Sequence, residues 1–413
     1  MVGHYTIMQL IMLPAFTALA AANPLRAQSV NGPSPVERRE LAPGVVYERL
    51  QDARGPWSMH VVRVDLRRAD VAVQAMHARD SLRGREQPSA MARRRSTADL
   101  AVLATINADF FDLKSGENEN NQVIDGEWWK GLKVTDSPFD TYDNVHVQFA
   151  LGTNNRPTIG RFLLDGRAFV RGAMTPIITV NANPTGTPEG SALYTPRFGR
   201  VTPRDTTRQT AEAPLTRVGH RGDTALYVRR GAVSLTSGSA IPDSGAILAA
   251  YGARAAAVQA MADGDTVRIL LTTLPRLPGG APRLLIGGWP QVLRDGVNVA
   301  GDAATVEGTI SRNAEVRHPR SAIGYSRDRR YLWLFTVDGR SATSVGMTLV
   351  EMADVLRARG VWDAMNFDGG GSTAMVIDGR LVNAPSDPTG ERAVGNVLMI
   401  THRPSSRSSR SVP

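Results

Sequence analysis

The sequence predicts an α+β fold dominated by strands, with mixed and antiparallel sheets and a few packed helices. Three observations predict it. Asp-Gly dipeptides recur at 125, 165, 295 and 378, each between short apolar runs, and Asp-Gly supplies the positive φ angles of a tight hairpin turn. Segments such as 57–64 and 71–76 alternate apolar and polar residues, the period of two that buries one face of a strand. One stretch carries a full set of helix signals, and it is short.

In chain order, residues 1–27 read as a secretory leader: an apolar run over 7–22, then Asn23-Pro24, then Ala27, a small residue after which cleavage is expected. Residues 28–44, rich in Pro, Ser, Glu and Arg, read as a linker that opens a segment with small β elements over 28–94. The main domain is expected over 95–402, and the Ser/Arg tail 403–413 is expected to be disordered. The middle region, 135–285, holds several strand-like pieces and reads as an enlargement of the same domain. Thr348-Leu349-Val350-Glu351 has the spacing of a capping box, Leu349, Met352, Ala353 and Leu356 share one face, and Gly360 stands where a helix ends. The predicted helix, 348–359, leads into a short strand, the triple-glycine turn Gly369, Gly370 and Gly371, and a hairpin.

Composition narrows the chemistry. With no cysteine among 413 residues, disulfide frameworks, cysteine-ligated zinc and thiol catalysis are excluded. The seven histidines show no His-Glu-x-x-His spacing, which removes the usual zinc hydrolase signature. A Gly-x-Ser-x-Gly elbow and a glycine loop followed by Lys are both absent, which argues against serine hydrolases and nucleotide-phosphate enzymes. The formal charge of +9 comes almost wholly from arginine, the lysines being Lys114, Lys130 and Lys133. Such a protein attracts anionic polymers, but with no helix-turn-helix, RNP-like motif or dense basic block, no nucleic acid partner is expected. Outside the leader no apolar run is long enough to cross a bilayer. The expectation is therefore a secreted or periplasmic protein with no stable membrane insertion once the leader is removed; its oligomeric state is not written in the sequence.

The chemistry concentrates at strand ends. Asn366 and Asp368 precede the three glycines, and Ser372 and Thr373 follow them. A carboxylate, an amide, two hydroxyls and bare backbone N–H groups there can form a nest for anionic oxygens, where the alternative is a turn capped by its own Asp. Asn107-Ala108-Asp109-Phe110-Phe111 ends another apolar run, His318-Pro319-Arg320 places cations before a strand, and Asp338-Gly339-Arg340 closes one. Trp128 and Trp129 beside Glu127 offer either a sugar platform or hairpin packing. The loop Glu117-Asn118-Glu119-Asn120-Asn121 reads as solvated, with cation binding as its alternative.

Together, 107–111, 318–324, 337–340 and 366–373 resemble the phosphodiester glycosidase family, and Ile286-Gly287-Gly288-Trp289-Pro290 and Glu391-Arg392-Ala393-Val394-Gly395-Asn396 fall in the family's order. The resemblance covers 95–402. It implies hydrolysis at a sugar C1 linked through phosphate, releasing the sugar and leaving a phosphate monoester. Phosphate leaves more readily than an alkoxide, so holding it matters more than protonating it. On this resemblance Asp368 and Asp338 are the catalytic candidates, for water activation or oxocarbenium stabilisation. Arg320, Arg340 and Arg392 would hold the phosphate with the N–H groups of Gly369, Gly370 and Gly371. Asn107, Asp109 and Asn366 would position the sugar or the carboxylates, and His318, Ser372, Thr373 and Asn396 complete the substrate-binding set. Family members often carry Gly-Gly where this chain has Ala108-Asp109, which gains a carboxylate. Asp109, Asp338 and Asp368 are the ligands a Ca²⁺ or Mg²⁺ ion would take, although no cofactor is required by this reading. The expected partner is a phosphate-linked glycan of the envelope or the exterior. The alternative is a non-catalytic envelope polysaccharide-binding or exopolysaccharide-biogenesis protein using the same cleft.

Overall fold

A computed structural model of the chain describes residues 33–133, 146–184, 188–308 and 315–404. The leader, the end of the tail from 405, and 134–145 and 185–187 of the middle region lie outside the described residues. The protein is strand-dominated, with three sheets and a few short helices. The first sheet has eight strands in the order Ser34–Ala42, Val45–Asp52, Trp57–Asp65, Tyr331–Val337, Arg320–Tyr325, Asp363–Asn366, Gln291–Arg294 and Val297–Asn298. A five-stranded sheet runs Arg380–Leu381, Met375–Ile377, Ala101–Asn107, Asn396–His402 and Val71–His77. The third, of thirteen strands, is built from the middle region. Among the described pairings, Thr179–Val180 with Gly190–Tyr194 is parallel and the others are antiparallel.

Alternation along Tyr331–Val337 explains why the first sheet is covered on both faces. Leu332 and Leu334 point with Val62, Val64 and Ile323 into a core shared with Leu103, Ile106, Leu398 and Ile400 of the five-stranded sheet. Trp333, Phe335 and Val337 point the other way, onto Leu349, Met352, Ala353 and Leu356. Those four residues are the apolar face of the helix Leu349–Ala358, which Thr348 caps through a complete capping box and which ends before Gly360 at φ 87°. Leu349, Met352 and Leu356, buried, are each worth about 1.5–3 kcal/mol, so the layer order follows from the pattern.

Register fixes where the site falls. Arg320 pairs with Val337, and Ala322 with Asn366. Arg320, Asp338 and Asn366 thus share one end of the first sheet. In the five-stranded sheet Val397 pairs with Asn107 and Met375 with Ile106, which brings Asn107, Asn396 and Ala374 to one end as well.

Two expectations are corrected. Residues 34–42, read as linker, form an exposed edge strand paired antiparallel with Val45–Asp52. Its Glu and Arg residues mimic linker composition because charge on an edge strand discourages pairing with another chain. Asp165-Gly166 makes no turn: both residues lie inside the strand Leu163–Val170, which pairs along its whole length with Thr266–Leu274. Gly166 serves close approach instead, since an added Cβ would meet Ile177 O at 2.6 Å, and the hairpin turn falls at Arg171-Gly172, with φ 49° and 84°. Asp125, Asp295 and Asp378 do open hairpins, each with positive φ. Among the described residues no helix is long and apolar enough to cross a membrane.

Candidate active site

The triple glycine forms one short helical turn, Gly370–Ser372, pinned between the two sheets. Phe367 N donates to Ser321 O at 2.8 Å, Asp368 N to Ala108 O at 2.9 Å and Gly370 N to Pro319 O at 2.9 Å. Asn107 is the knot. Its Nδ2 donates to Asp368 O at 2.7 Å, while its Oδ1 accepts from Ser321 Oγ at 2.6 Å and Ala374 N at 3.0 Å. Asn396 does the same for the neighbouring segment, accepting from Asp109 N at 3.0 Å and donating to Gln122 Oε1 at 3.0 Å. Both amides are buried, and both spend their polar atoms on holding the strand ends together.

Two carboxyl groups stand in this frame. Asp368 accepts from Gly369 N at 2.9 Å, and burial pushes its pKa up to about 6; Ser372 and Arg392 oppose the rise and the charge of Asp109 adds to it. A carboxyl group titrating so near neutrality is suited to proton transfer. Asp109 is 2% exposed and accepts from Asn118 Nδ2 at 3.1 Å, Asn120 N at 3.1 Å and Asn120 Nδ2 at 2.6 Å. Burial raises it too, against these amides and Lys130. The loop read as solvated is therefore the cradle of Asp109: Asn118, Asn120 and Asn121 are buried, and Lys130 closes the group by donating to Asn118 O at 2.6 Å.

Arginines border the turn. Arg320, 5% exposed, donates to Met347 O at 3.0 Å and Val316 O at 2.8 Å. Burial, with Arg340 adding to it, pushes its pKa down to about 10. Arg340 lies over Gly370, its Nη2 being 3.0 Å from where a Cβ would stand, and reaches Ser386 Oγ at 3.4 Å. Among the described residues no carboxylate pairs with it. Two cations that repel each other, one of them buried against carbonyl groups, favour the arrival of an anion. Arg392 forks onto Asp387 at 2.7 and 2.9 Å and reaches Ser372 Oγ at 3.3 Å. Burial and the two neighbouring guanidinium groups hold His318 below its ordinary pKa.

Asp338 is placed differently. Its Oδ1 accepts from Ala384 N at 2.9 Å and its Oδ2 lies 3.6 Å from His60 Nε2, with His60 Nδ1 bonded to Tyr47 OH at 2.9 Å. The carboxylate thus anchors the loop whose Ser386 meets Arg340. The ligand set Asp109, Asp338 and Asp368 does not form either: among the described residues no three His, Asp or Glu side chains meet in a metal-sized group.

Residues that the sequence reading passed over complete the site. Trp289 stacks on His146 with ring centres 4.3 Å apart and meets the edge of Phe110 at 5.8 Å. Trp289 N donates to Asn366 O at 2.9 Å, and Asn366 Nδ2 to Trp289 O at 2.7 Å. Burial pushes His146 down to about 4, so the imidazole is neutral at pH 7. Trp289 Nε1, Asn366 Oδ1, Thr373 Oγ1 and His318 Nδ1 are buried without a hydrogen-bond partner among the described residues. An unpartnered buried polar atom costs about 1–3 kcal/mol. Trp289 stood in the Gly-Gly-Trp-Pro segment, which was a usable signal; His146 and Asp387 carried none. Trp128 and Trp129 pack instead, Trp129 between His77 and Arg197. A cleft of about 950 Å³ lies beside Glu127, Trp128 and Tyr227, and no residue of the catalytic or substrate-binding set lines it.

The turn itself yields a test. A Cβ on Gly371 would overlap the Arg392 guanidinium and the Asp387 carboxylate. Both are side-chain ends and can move, so Gly371→Ala is expected to displace the pair rather than unfold the protein. Substrate KM should rise about tenfold, the loss of a charge-assisted contact, with an unchanged denaturation midpoint.

Gly369 N and Gly370 N are already spent on Asp368 Oδ1 and Pro319 O and Gly371 is buried, so the turn does not offer the open row of backbone donors expected of it; three arginines, a carboxyl group near neutrality and unpartnered polar atoms beside it suit an anionic ligand. Residues 216–401 match the model of the phosphodiester glycosidase family. It is 29% identical over 223 residues to human N-acetylglucosamine-1-phosphodiester alpha-N-acetylglucosaminidase, covering 52% of this chain and 41% of the relative. It is 38% identical over 106 residues to the SPbeta prophage-derived uncharacterized protein YomE of Bacillus subtilis (strain 168), covering 26% of this chain and 16% of that one. The chain thus spans less than half the length of these relatives. A hypothetical protein from Synechocystis shares the fold, with TM-score 0.69, 20% identity, 90% of this chain covered and 64% of the other.

Proposed function

We propose that the protein is an exported hydrolase that cleaves a sugar-1-phosphodiester, releasing the sugar and a phosphate monoester, on glycans of the envelope or the exterior. The observation that carries this reading is Asp368, a carboxyl group held at about 6 beside Arg392 and the glycine turn. In the proposed step the C1–O bond breaks and its electron pair leaves with the phosphate oxygen. Arg320, Arg340 and Arg392 take up the developing charge. Water delivers its oxygen to C1 and its proton passes to the Asp368 carboxylate. Asp109 and Asn366 position the sugar, on the face of Trp289, and Asp338 acts through the loop it anchors. Charge neutralisation falls to arginine, so the proposal needs no resident cation.

The experiment is release of free sugar from sugar-1-phosphate diesters of N-acetylglucosamine, glucose and galactose, with and without chelator. Turnover untouched by chelator is the expected result. Its kcat/KM should climb tenfold per pH unit below about 6 and level above it, because Asp368 must be ionised to accept the proton. Folded protein inactive on every diester would put the non-catalytic glycan-binding alternative in its place.

A further inference from the structure

Beside the glycine turn lies a second cleft of about 680 Å³, and Arg392 is common to both. Arg392 reaches Ser372 on the turn and also lines this cleft, with Arg79, Arg85 and Lys114 on its other walls. The walls are fixed to each other, Gly84 N donating to Ser115 O at 2.8 Å. Its acidic residues are already engaged. Asp387 is forked by Arg392, and Glu391 accepts from Ser89 N at 2.7 Å and Ser89 Oγ at 2.6 Å.

The three outer cations make no direct contact with an acid, although Arg79 and Lys114 act at longer range on Glu86 and Asp112. Among the described residues, no hydrogen bond or ion pair occupies the side chains of Arg79, Arg85 and Lys114, all of them exposed. Their neighbours show that partners were available: Arg83 pairs with Glu117 at 3.1 Å and Arg94 with Glu86 at 2.9 Å. A cleft whose acids are neutralised within the fold and whose cations are left open concentrates positive potential along one line, starting at the phosphate-binding turn.

We infer that this cleft is the acceptor-side track for a polymer carrying further phosphodiesters beyond the one that is cut, so that the preferred substrate is a polyanionic, phosphate-linked chain rather than a small diester. This rests on the function proposed above. Lys114 and Arg85 would meet successive phosphates while Arg392 holds the one at the turn.

The test compares wild type with the doubly reversed variant Arg85→Glu/Lys114→Glu, neither residue being part of the catalytic machinery. On an oligomeric substrate with several glycosyl phosphodiesters, KM should rise about tenfold or more and its dependence on salt should flatten, with kinetics on a single-phosphate diester unchanged. Binding of inorganic polyphosphate, measured by calorimetry, should weaken in parallel. That arm needs no turnover, so weakened polyphosphate binding in a protein inactive on all diesters would uphold the track while overturning the proposed hydrolysis. Equal polyphosphate affinity in the two proteins, or equal losses on small and oligomeric substrates, would overturn the track.

Discussion

Asp368→Asn is expected to lower sugar release from the best diester by 10²–10⁴-fold, the usual worth of a positioned general acid or base. It should leave the fold intact, because Asn keeps the oxygen that accepts from Gly369 N. The stability change should run opposite to the activity change. Asp368 sits at about 6 in the fold against the ordinary carboxyl value of 3.8, so the folded chain holds this proton more tightly than the unfolded chain. That gain is complete below the unfolded value and is lost as pH rises through about 6. At pH 7 the wild type carries a half-buried charge that the amide variant lacks, a difference of up to about 3 kcal/mol. Denaturant midpoints of the two proteins should therefore converge near pH 4 and separate in favour of the variant by pH 7. An active Asp368→Asn protein would remove this carboxyl group from the chemistry; an unfolded one would make it a structural cap.

Asp109→Ala is expected to fail in the other way. Asn120 N and Asn120 Nδ2 would lose the Asp109 acceptor and Asn118 Nδ2 would keep only Asn120 O, and a buried donor left without its acceptor costs about 1–3 kcal/mol. A loss of about 2–4 kcal/mol in urea denaturation is the expected result, with activity falling as the cradle loosens. Asp109→Asn, which keeps one acceptor, should recover part of the stability and little of the activity. A stable, fully active Asp109→Ala protein would show that the cradle serves neither fold nor site.

These two aspartates also show what could be read from the chain. Asp368 was legible because its neighbours in sequence are its neighbours in space: the strand, the glycines and the hydroxyls all lie in one run. The helix at 349–358 and the hairpins at Asp125, Asp295 and Asp378 were legible for the same reason, since caps and positive-φ turns are local. Asp165-Gly166 has the same letters as those turns, yet pairing with Thr266–Leu274 keeps it extended. Asn118 and Asn120 could not be read, because a loop of Glu and Asn looks solvated until the fold buries it around Asp109. Asn107 and Asn396 were noticed for their position, but that their amides tie strand ends together is a property of two sheets meeting. The stack of His146 on Trp289 depends wholly on distant pairing.

The five-stranded sheet sets the time at which the site can exist. Its strand Asn396–His402 lies between Ala101–Asn107 and Val71–His77, so a ribosome has made nearly all of the described chain before the seat between them is filled. Until then both flanking strands offer open edges, and Asp109 N lacks the Asn396 amide that receives it. Pairing at such long sequence separation folds slowly and leaves sticky intermediates. The site accordingly forms only once 396–402 is in place, and a chain cut before that strand should be a client of chaperones.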